Sequence, residues 1–394
     1  WSLRDALVKA AWYLGPRLDR MGGIAVPVSA DLLAAIGSVE RLLAEIPDYL
    51  AADSAAIAAG LAGRFHLFDG FAAASWRGPF GQARTFLCWN QGAMVEQTAR
   101  HSFLFDHYWG KRSVNVDRIR NQLEAYEYVR LASEYDAEGG AAIARSRDRL
   151  GELVAAIRAE RPRKCYVLLS GPSLQSMRGH DFSDGVTLVC NNLLLDQDLL
   201  DRVRPRFVSL VDDVLHAGCI AHAGPIRAAL AAALRRFPDL HLITRASHRP
   251  LYRAVLDADL HDRVIGLPVV HNLPVNLDLA ARFYVKELAN VLTVGLLPLA
   301  TTLCDRVHLA GCDGRPPERT ETLWPYDARI SLEHLMFSYD KAHPALYRRD
   351  GQAYESRHAH NVADFLGYAE EAGKQFFVRT PSFIPALACR RRDS

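Results

Sequence analysis

The stretch Cys165-Tyr-Val-Leu-Leu-Ser170-Gly171-Pro172-Ser173-Leu174 decides the fold class of this chain. An apolar run leads directly into a Gly-Pro-Ser turn, which is the pattern of a buried strand followed by a tight turn. Strands that are buried on both faces occur mainly in parallel sheets covered by helices. The stretch therefore predicts the first strand of an α/β sheet, with a turn at its carboxyl end.

The first β-rich run covers Cys165–Ser170. Six further β-rich runs follow it, and helical stretches separate them. They are Val186–Cys190, Phe207–Val211, Leu240–Thr244, Val264–Leu267, Val307–Ala310 and Phe376–Arg379. Alternating strands and helices predict a Rossmann-like α/β fold, with a mostly parallel sheet and flanking helices.

The residues before Pro162 have a different pattern. Apolar side chains such as Leu32, Leu33, Ile36 and Val39 recur at three- and four-residue spacing, which indicates helices. We therefore predict an all-α N-terminal domain over residues 1–161 and a nucleotide-sugar-binding catalytic domain over residues 162–394. The first domain would either shape the acceptor site or mediate homo-oligomer formation.

One part of this N-terminal region, Phe65 to Trp89, is rich in glycine and aromatic residues and has no clear period. We expect it to form a loop-rich plug or part of an acceptor surface.

Composition restricts the class of partner. The 47 Lys and Arg residues nearly balance the 45 Asp and Glu residues, which gives a net charge of +2 and argues against a nucleic-acid partner. Seven cysteines are spread singly without a Cys-x-x-Cys pair, as in reduced, cytoplasmic proteins. The basic end Arg390–Ser394 predicts a solvated terminus, or a peripheral contact with the inner face of an anionic membrane.

The turn after the first strand is the first candidate binding motif. In an open α/β sheet the ligand lies beyond the carboxyl ends of the strands, so Ser170–Ser173 would hold a nucleotide phosphate or a sugar. Gly171 permits close approach of the backbone, and Ser173 offers a hydroxyl group. The stretch is neither Gly-x-Gly-x-x-Gly nor a P-loop, which argues against a dinucleotide or Walker-type site. An ordinary strand-to-helix turn is the alternative interpretation.

Polar residues also follow three other strands. Asn191 and Asn192 end the second, and an amide suits a pyrimidine edge or a ribose hydroxyl, although Asn is also common in turns. Asp212 and Asp213 follow the third strand and could bind a cation or a sugar. Asp313 follows a later strand in Gly311-Cys-Asp313. We expect these residues to gather at one edge of the sheet.

The order of these motifs resembles that of the bacterial CMP-sialic acid sialyltransferases. The shared order is a strand with Gly-Pro-Ser-Leu, a strand ending in Cys-Asn, a helix, a strand with Gly-x-Asp, a late His and a final Pro-Ser. The resemblance covers roughly Lys164 to Ser382 and extends to the related motility-associated Gly-Pro-Ser-Leu proteins, which are implicated in adding nonulosonic acids to flagellin. It implies a single Rossmann-like nucleotide domain and inverting transfer from a CMP-sugar.

The resemblance also implies roles for individual residues. The CMP moiety would contact Ser170, Gly171, Pro172, Ser173 and Asn191, with Asp313 at the same edge. Asp212 occupies the place where the sialyltransferases have an Asn against the donor, and Thr293-Val-Gly295 matches the family's Ser-Gly only loosely. The tyrosines that touch the donor phosphate in the family have no counterpart in register, and their substitutes could be Arg315, Trp324 and Tyr326.

The family spacing back from the final Pro-Ser indicates His358 as the catalytic base. A histidine near its ordinary pKa of about 6.5 suits removal of a proton from an acceptor hydroxyl. His360 and His343 are rivals, and a surface or core histidine is the alternative for each. The positive group that offsets the departing phosphate would be Arg315, Arg329 or Arg357.

These observations predict an inverting glycosyltransferase. It would transfer a nonulosonic or ulosonic acid, of sialic acid or Kdo type, from a CMP-sugar to a surface glycan or protein, with no cofactor required. One alternative is a pterin-type pyrophosphokinase that binds Mg²⁺ through Asp212, Asp213 and Asp313. Another is a non-catalytic scaffold in glycan assembly or flagellar glycosylation.

A possible zinc motif is set aside. His216, Cys219 and His222 supply at most three ligands without a second cluster, so a helix surface is expected there.

Overall fold

The structure, a computed structural model, describes residues 3–44, 47–72, 78, 83–88, 112–116, 123–288, 290–316, 326–347 and 351–390. The chain forms two compact units. The first comprises Trp1–Ala137, Ala217–Gly224 and His334–Tyr347, and the second comprises Glu138–His216, Pro225–Glu333 and Arg348–Ser394. The chain therefore returns twice to the first unit from within the second.

The first unit contains a sheet of four parallel strands. These are β1 (Ile24–Val28), β2 (Phe65–Asp69), β3 (Thr85–Cys88) and β4 (Arg112–Asn115), in the spatial order β2-β1-β3-β4. The prediction of an all-α N-terminal domain is therefore wrong in this respect. The expectation of a loop-rich plug over Phe65 to Trp89 is also wrong where β2 and β3 form.

A proline in β1 and polar residues in β2 and β4 explain why these strands escape sequence reasoning. Pro27 lies inside β1, and a proline usually argues against a central strand because it cannot donate a ladder hydrogen bond. Here β3 pairs only with Ile24 and Ala25, so the ladder on that side stops before Pro27.

The helices of the first unit agree with the apolar spacing. They are Leu3–Leu14, Leu18–Met21, Ala30–Ile36, Val39–Leu43, Asp53–Gly60, Glu124–Glu134 and Tyr339–Ala342. Within this unit the Lys9 ammonium is fully buried and lies 2.8 Å from Glu124 and 3.3 Å from Asp5. Burial acts to lower the pKa of Lys9, but the two carboxylates raise it above its ordinary value, which keeps the ammonium charged.

The second unit contains a parallel sheet of seven strands. They are β5 (Lys164–Leu168), β6 (Gly185–Cys190), β7 (Phe207–Ser209), β8 (His241–Arg245), β9 (Val264–Leu267), β12 (Arg306–Ala310) and β13 (Gln375–Val378). A separate short pair, β10 (Val269–Val270) and β11 (Val285–Lys286), lies between β9 and β12 in the sequence. All seven predicted strands are confirmed, and so is the prediction of a Rossmann-like parallel sheet.

The spatial order of this sheet is β13-β12-β5-β6-β7-β8-β9. From β5 the chain proceeds in one direction across the sheet, to β6 and on to β9. It then crosses back to β12, which lies on the other side of β5, and continues outward to β13. The junction between β5 and β12 is therefore a topological switch point.

Helices cover the sheet, and one set of them shares a core with it. The helices of the second unit are Gly139–Ala159, Gln197–Val203, Asp213–His216, Arg249–Val255, Leu297–Leu303, Gly351–Glu371 and Pro385–Ala388, with most of Ala223–Arg236. Leu150, Val154 and Ile157 of the helix Gly139–Ala159 pack in the same core as the strand residues. This helix belongs to the second unit, which begins at Glu138, whereas the sequence predicts a boundary after residue 161.

In the described part of the chain, no helix combines the length and the apolar composition that crossing a bilayer requires.

Candidate active site

The turns that follow β5 and β12 meet at the switch point. The Leu169 N–H donates to the Ala310 carbonyl at 2.9 Å, and the Gly171 N–H donates to the Gly311 carbonyl at 3.0 Å. These bonds continue the pairing of the two strands past their ends. The crevice beyond a switch point is where ligands bind in open α/β sheets.

Two glycines permit this close approach. A Cβ atom on Gly171 would lie 2.5 Å from both Oδ1 of Asp313 and the carbonyl oxygen of Gly311. Gly311 has a φ of +71°, and a Cβ there would lie 2.2 Å from the Leu169 carbonyl oxygen. Both positions therefore require glycine. At Gly171 a side chain would clash with the neighbouring turn, and at Gly311 a side chain would clash and the positive φ would also be unfavourable.

Asp313 ties the first turn to the second. One of its oxygens accepts a hydrogen bond from the Ser173 N–H at 2.9 Å, and the other accepts from the Ser173 hydroxyl. Burial raises the pKa of this carboxyl, although the two bonds from Ser173 act to lower it. The predicted residues Ser173 and Asp313 thus form a structural pair. Pro172 starts the adjoining 3₁₀ helix Pro172–Met177.

A cleft opens above these turns and encloses about 580 Å³, part of which is open to solvent. All of its lining residues belong to the second unit. Most come from four segments: Leu169, Ser170 and Gly171; Cys190 and Asn191; Asn290, Val291 and Leu292; and Gly311, Cys312, Asp313 and Gly314. Tyr326, His358 and Ile384 complete the lining.

Asn191 lines the cleft from the end of β6. Its φ of 50° places it in the left-handed region, which Asn tolerates better than most residues. Its Oδ1 atom is buried and has no hydrogen-bond partner among the described residues. The neighbouring Asn192 is committed elsewhere, because its amide donates to the Ile330 carbonyl at 3.1 Å. The first amide is thus available to a ligand and the second is structural.

His358 lines the cleft from the helix Gly351–Glu371. It is 8% exposed, and its buried Nδ1 has no hydrogen-bond partner in the described part of the chain. Burial lowers the pKa of this histidine to about 4. The imidazole is therefore neutral at pH 7 and able to accept a proton.

The two rival histidines lie elsewhere. The His360 side chain is 77% exposed and lies 3.5 Å from the Asp364 carboxylate, one turn along the same helix. His343 belongs to the first unit. Of the three candidates, His358 is the one that lines the cleft.

The residues predicted to contact the donor phosphate have different environments. Tyr326 lines the cleft, and burial raises the pKa of its hydroxyl. Arg315 follows the cleft turn and lies 3.7 Å from Glu355, measured from Nε to Oε1. Arg329 and Arg357 are exposed, and Trp324 lies outside the described residues.

The three aspartates proposed for Mg²⁺ are engaged separately. Asp213 is fully buried, where it accepts a hydrogen bond from Thr244 at 2.8 Å and pairs with His248. Asp313 holds Ser173, and the exposed Asp212 is outside the cleft lining. Among the described residues, no three His, Cys, Asp or Glu side chains are arranged to hold a metal ion.

Two minor predictions have clear outcomes. The expected helix surface at His216, Cys219 and His222 is wrong, because each of these residues is buried and at most 5% exposed. In the basic terminus, Arg390 forms an ion pair with Glu370, while residues 391–394 lie outside the described part of the chain.

No family model, curated protein or solved structure matches this chain.

Sequence reasoning missed one wall of the cleft, formed by Asn290, Val291 and Leu292. A signal was present, since Asn290 stands directly before the apolar run 291–303, and Asn is a preferred residue at a helix start. The Asn290 Oδ1 atom accepts from the Leu292 N–H at 2.9 Å. The run then opens with a π-helical turn, Leu292–Leu296, a feature that is frequent at functional sites.

Proposed function

We propose that this chain is an inverting glycosyltransferase whose donor is a CMP-activated nonulosonic or ulosonic acid of sialic acid or Kdo type. The acceptor would be a surface glycan or a protein. One observation carries the proposal: the switch-point cleft brings the Ser170–Gly171 turn, the unpaired amide oxygen of Asn191 and the neutral His358 to a single cavity. The motif order that resembles the sialyltransferases supplies the donor class.

Each cleft group suits one part of such a donor. The buried Asn191 Oδ1 is an acceptor, and the exocyclic amine of cytosine is a donor. The glycine turn admits a phosphate close to the backbone. Val291 and Leu292 bring the start of the helical run 291–303 to the cleft, where the helix dipole stabilises negative charge. The Tyr326 hydroxyl is a further donor for a phosphate oxygen.

The chemical step is a direct displacement at the anomeric carbon. The acceptor oxygen forms the new C–O bond on one face while the bond to the phosphate oxygen breaks on the other, and CMP leaves with the electron pair. The acceptor proton passes to the His358 imidazole. An imidazole with a pKa near 4 is a weak base, but the anionic donor would raise this pKa by favouring the charged form.

Nucleotide binding provides the first test. In a thermal-shift series with CMP, CDP, UDP, GDP and ATP, we expect CMP and CDP to stabilise the protein. A ligand at 100 times its dissociation constant adds about 2.7 kcal/mol. Asn191→Ala should remove most of this stabilisation, whereas Asn272→Ala, at an exposed position outside the cleft, should keep it. Stabilisation by UDP or ATP alone would contradict the donor assignment.

Turnover provides the second test. His358→Ala should reduce transfer from a CMP-activated donor by roughly 10²- to 10⁴-fold, as for loss of a general base, and leave CMP binding within a few fold. Binding of CMP without transfer by the wild-type protein would favour the scaffold alternative.

A further inference from the structure

The residues that line the cleft do not explain what holds the His358 ring in its orientation. A catalytic histidine is usually held by a hydrogen bond from its second ring nitrogen to a carboxylate or a carbonyl. In His358 the Nδ1 atom is buried and has no such partner among the described residues. The orientation of the ring therefore does not come from a hydrogen bond at Nδ1.

Tyr354 stacks on the His358 ring. It precedes His358 by one turn of the helix Gly351–Glu371, so the two side chains share a face. The ring centroids are 6.4 Å apart and the planes differ by 16°, which is a stacked arrangement within the usual range for aromatic pairs. Tyr354 does not itself line the cleft.

The Tyr354 ring is connected in turn to the cleft wall. Asn290 donates from its Nδ2 atom to the Tyr354 hydroxyl at 3.4 Å, while its Oδ1 atom caps Leu292. The same helix makes a second hydrogen bond to this region, in which the Asn361 amide donates to the Leu288 carbonyl at 3.0 Å. His358 therefore lies between two bonds that join its helix to Asn290 and to Leu288.

We propose that Tyr354 is a positioning residue, which orients the His358 imidazole by ring stacking. This role rests on the proposed function, since it concerns the base of the transfer reaction. It requires the aromatic ring more than the hydroxyl, because the ring contacts the imidazole directly and the 3.4 Å bond to Asn290 is long.

Two substitutions separate the ring from the hydroxyl. Tyr354→Phe keeps the ring, and we expect kcat within about twofold of the wild type. Tyr354→Leu removes the ring, and we expect kcat to fall about 2- to 10-fold, the range that corresponds to one aromatic pair, with the donor KM changed by less than twofold. Tyr368→Leu is the matched control, because Tyr368 lies on the same helix and is 42% exposed.

A measurement that needs no turnover accompanies the kinetics. The His358 resonances are followed by NMR as a function of pH in each variant. In the wild type and in Tyr354→Phe we expect a pKa near 4. In Tyr354→Leu the pKa should move upward toward 6.5, because water reaches the imidazole once the ring is gone. Should Tyr354→Leu fail to fold, Tyr354→Met removes the ring with a side chain that fills space more flexibly.

The two proposals fail in different ways. If the wild-type protein transfers sugar but Tyr354→Leu matches Tyr368→Leu in kcat, in pH profile and in the His358 titration, the positioning role is wrong and the proposed function stands. If the wild type neither binds CMP nor transfers sugar, the proposed function is wrong. The positioning role is defined for the transfer reaction, so it then fails together with the proposed function. In that case the NMR titration of His358 reports only whether Tyr354 shields the imidazole from water.

Discussion

Gly171 and Gly311 allow the two turns at the switch point to touch, and the contact leaves no room for a methyl group at either position. We expect Gly171→Ala to lower the free energy of unfolding by about 1–3 kcal/mol, the usual cost of overpacking. It should also weaken CMP binding, because the added carbon displaces the turn that lines the cleft. Urea denaturation and thermal shift would measure the two effects.

Gly367→Ala is the matched control for this substitution. Gly367 lies in the helix Gly351–Glu371, where a Cβ would meet nothing within 4 Å. There alanine should leave stability unchanged or raise it by up to about 1 kcal/mol, because alanine is the better helix former. Equal effects of the two substitutions would contradict the packing argument.

The aspartates show what residue type alone leaves open. Asp212, Asp213 and Asp313 all follow strands, yet they are respectively exposed, paired with His248 and bonded to Ser173. The difference is one of side-chain direction and partners from distant segments. A sequence places a carboxylate at the edge of a sheet, but it does not reveal which groups have already used its oxygens.

At the scale of elements, the helix Gly139–Ala159 extends the second unit beyond the boundary that proline and basic residues suggest. Leu150→Ala should lower the free energy of unfolding by about 2–5 kcal/mol, because Leu150 is fully buried in the core shared with the sheet. Ile143→Ala on the same helix should cost no more than about 0.5 kcal/mol, since Ile143 is 41% exposed. Chemical denaturation of both variants measures these changes. A small effect of Leu150→Ala would contradict the packing of this helix against the sheet.

The cleft wall formed by Asn290, Val291 and Leu292 is an element-scale feature too. Its position depends on a capping Asn, on a π-helical turn and on two bonds from the helix Gly351–Glu371. None of these repeats with a simple period, and two of the partners, Tyr354 and Asn361, are more than 60 residues away in the sequence. The sequence therefore signals the start of the helical run, but the position of the wall is determined only once the helix Gly351–Glu371 is packed beside it.

At the scale of the whole molecule, buried histidines predict how stability depends on pH. Burial lowers the pKa values of His241, His308 and His358 to about 4, with nearby cations contributing at the first two. In the unfolded chain these histidines titrate near 6.5. Between pH 6.5 and 4 the unfolded state binds more protons, so stability is complete above pH 6.5 and falls as the pH drops toward 4.

Denaturation in urea at a series of pH values between 7.5 and 4 tests this expectation. His308→Gln should make the decline shallower by removing one of the titrating groups. His360→Gln should leave the slope as it is, because that side chain is 77% exposed. A stability that is flat across this range would show that the histidines are not buried as described.

The two sheets of the molecule differ in how far local patterns could predict them. The seven strands of the second unit are apolar runs bounded by turn residues, and such runs are recognisable within about ten residues of sequence. In the first unit, β2 and β4 carry polar residues among the apolar ones, and β1 contains Pro27. They form because neighbouring strands supply the pairing, which is not written in the local pattern.

Local patterns were also sufficient for the turn Ser170–Gly171 and for Asn191 at a strand end, since each depends on residues close in the chain. The choice of His358 came from the family spacing that the resemblance implies, and its role as the base stays a prediction. Tertiary structure alone decided that β12 lies beside β5, that Gly171 therefore meets Gly311, and that His358 shares a cleft with Asn191 and Asn290. The physical reason is that strand order and side-chain burial arise from packing between distant segments. Such packing also determines which polar atoms remain without a partner and thus available to a ligand.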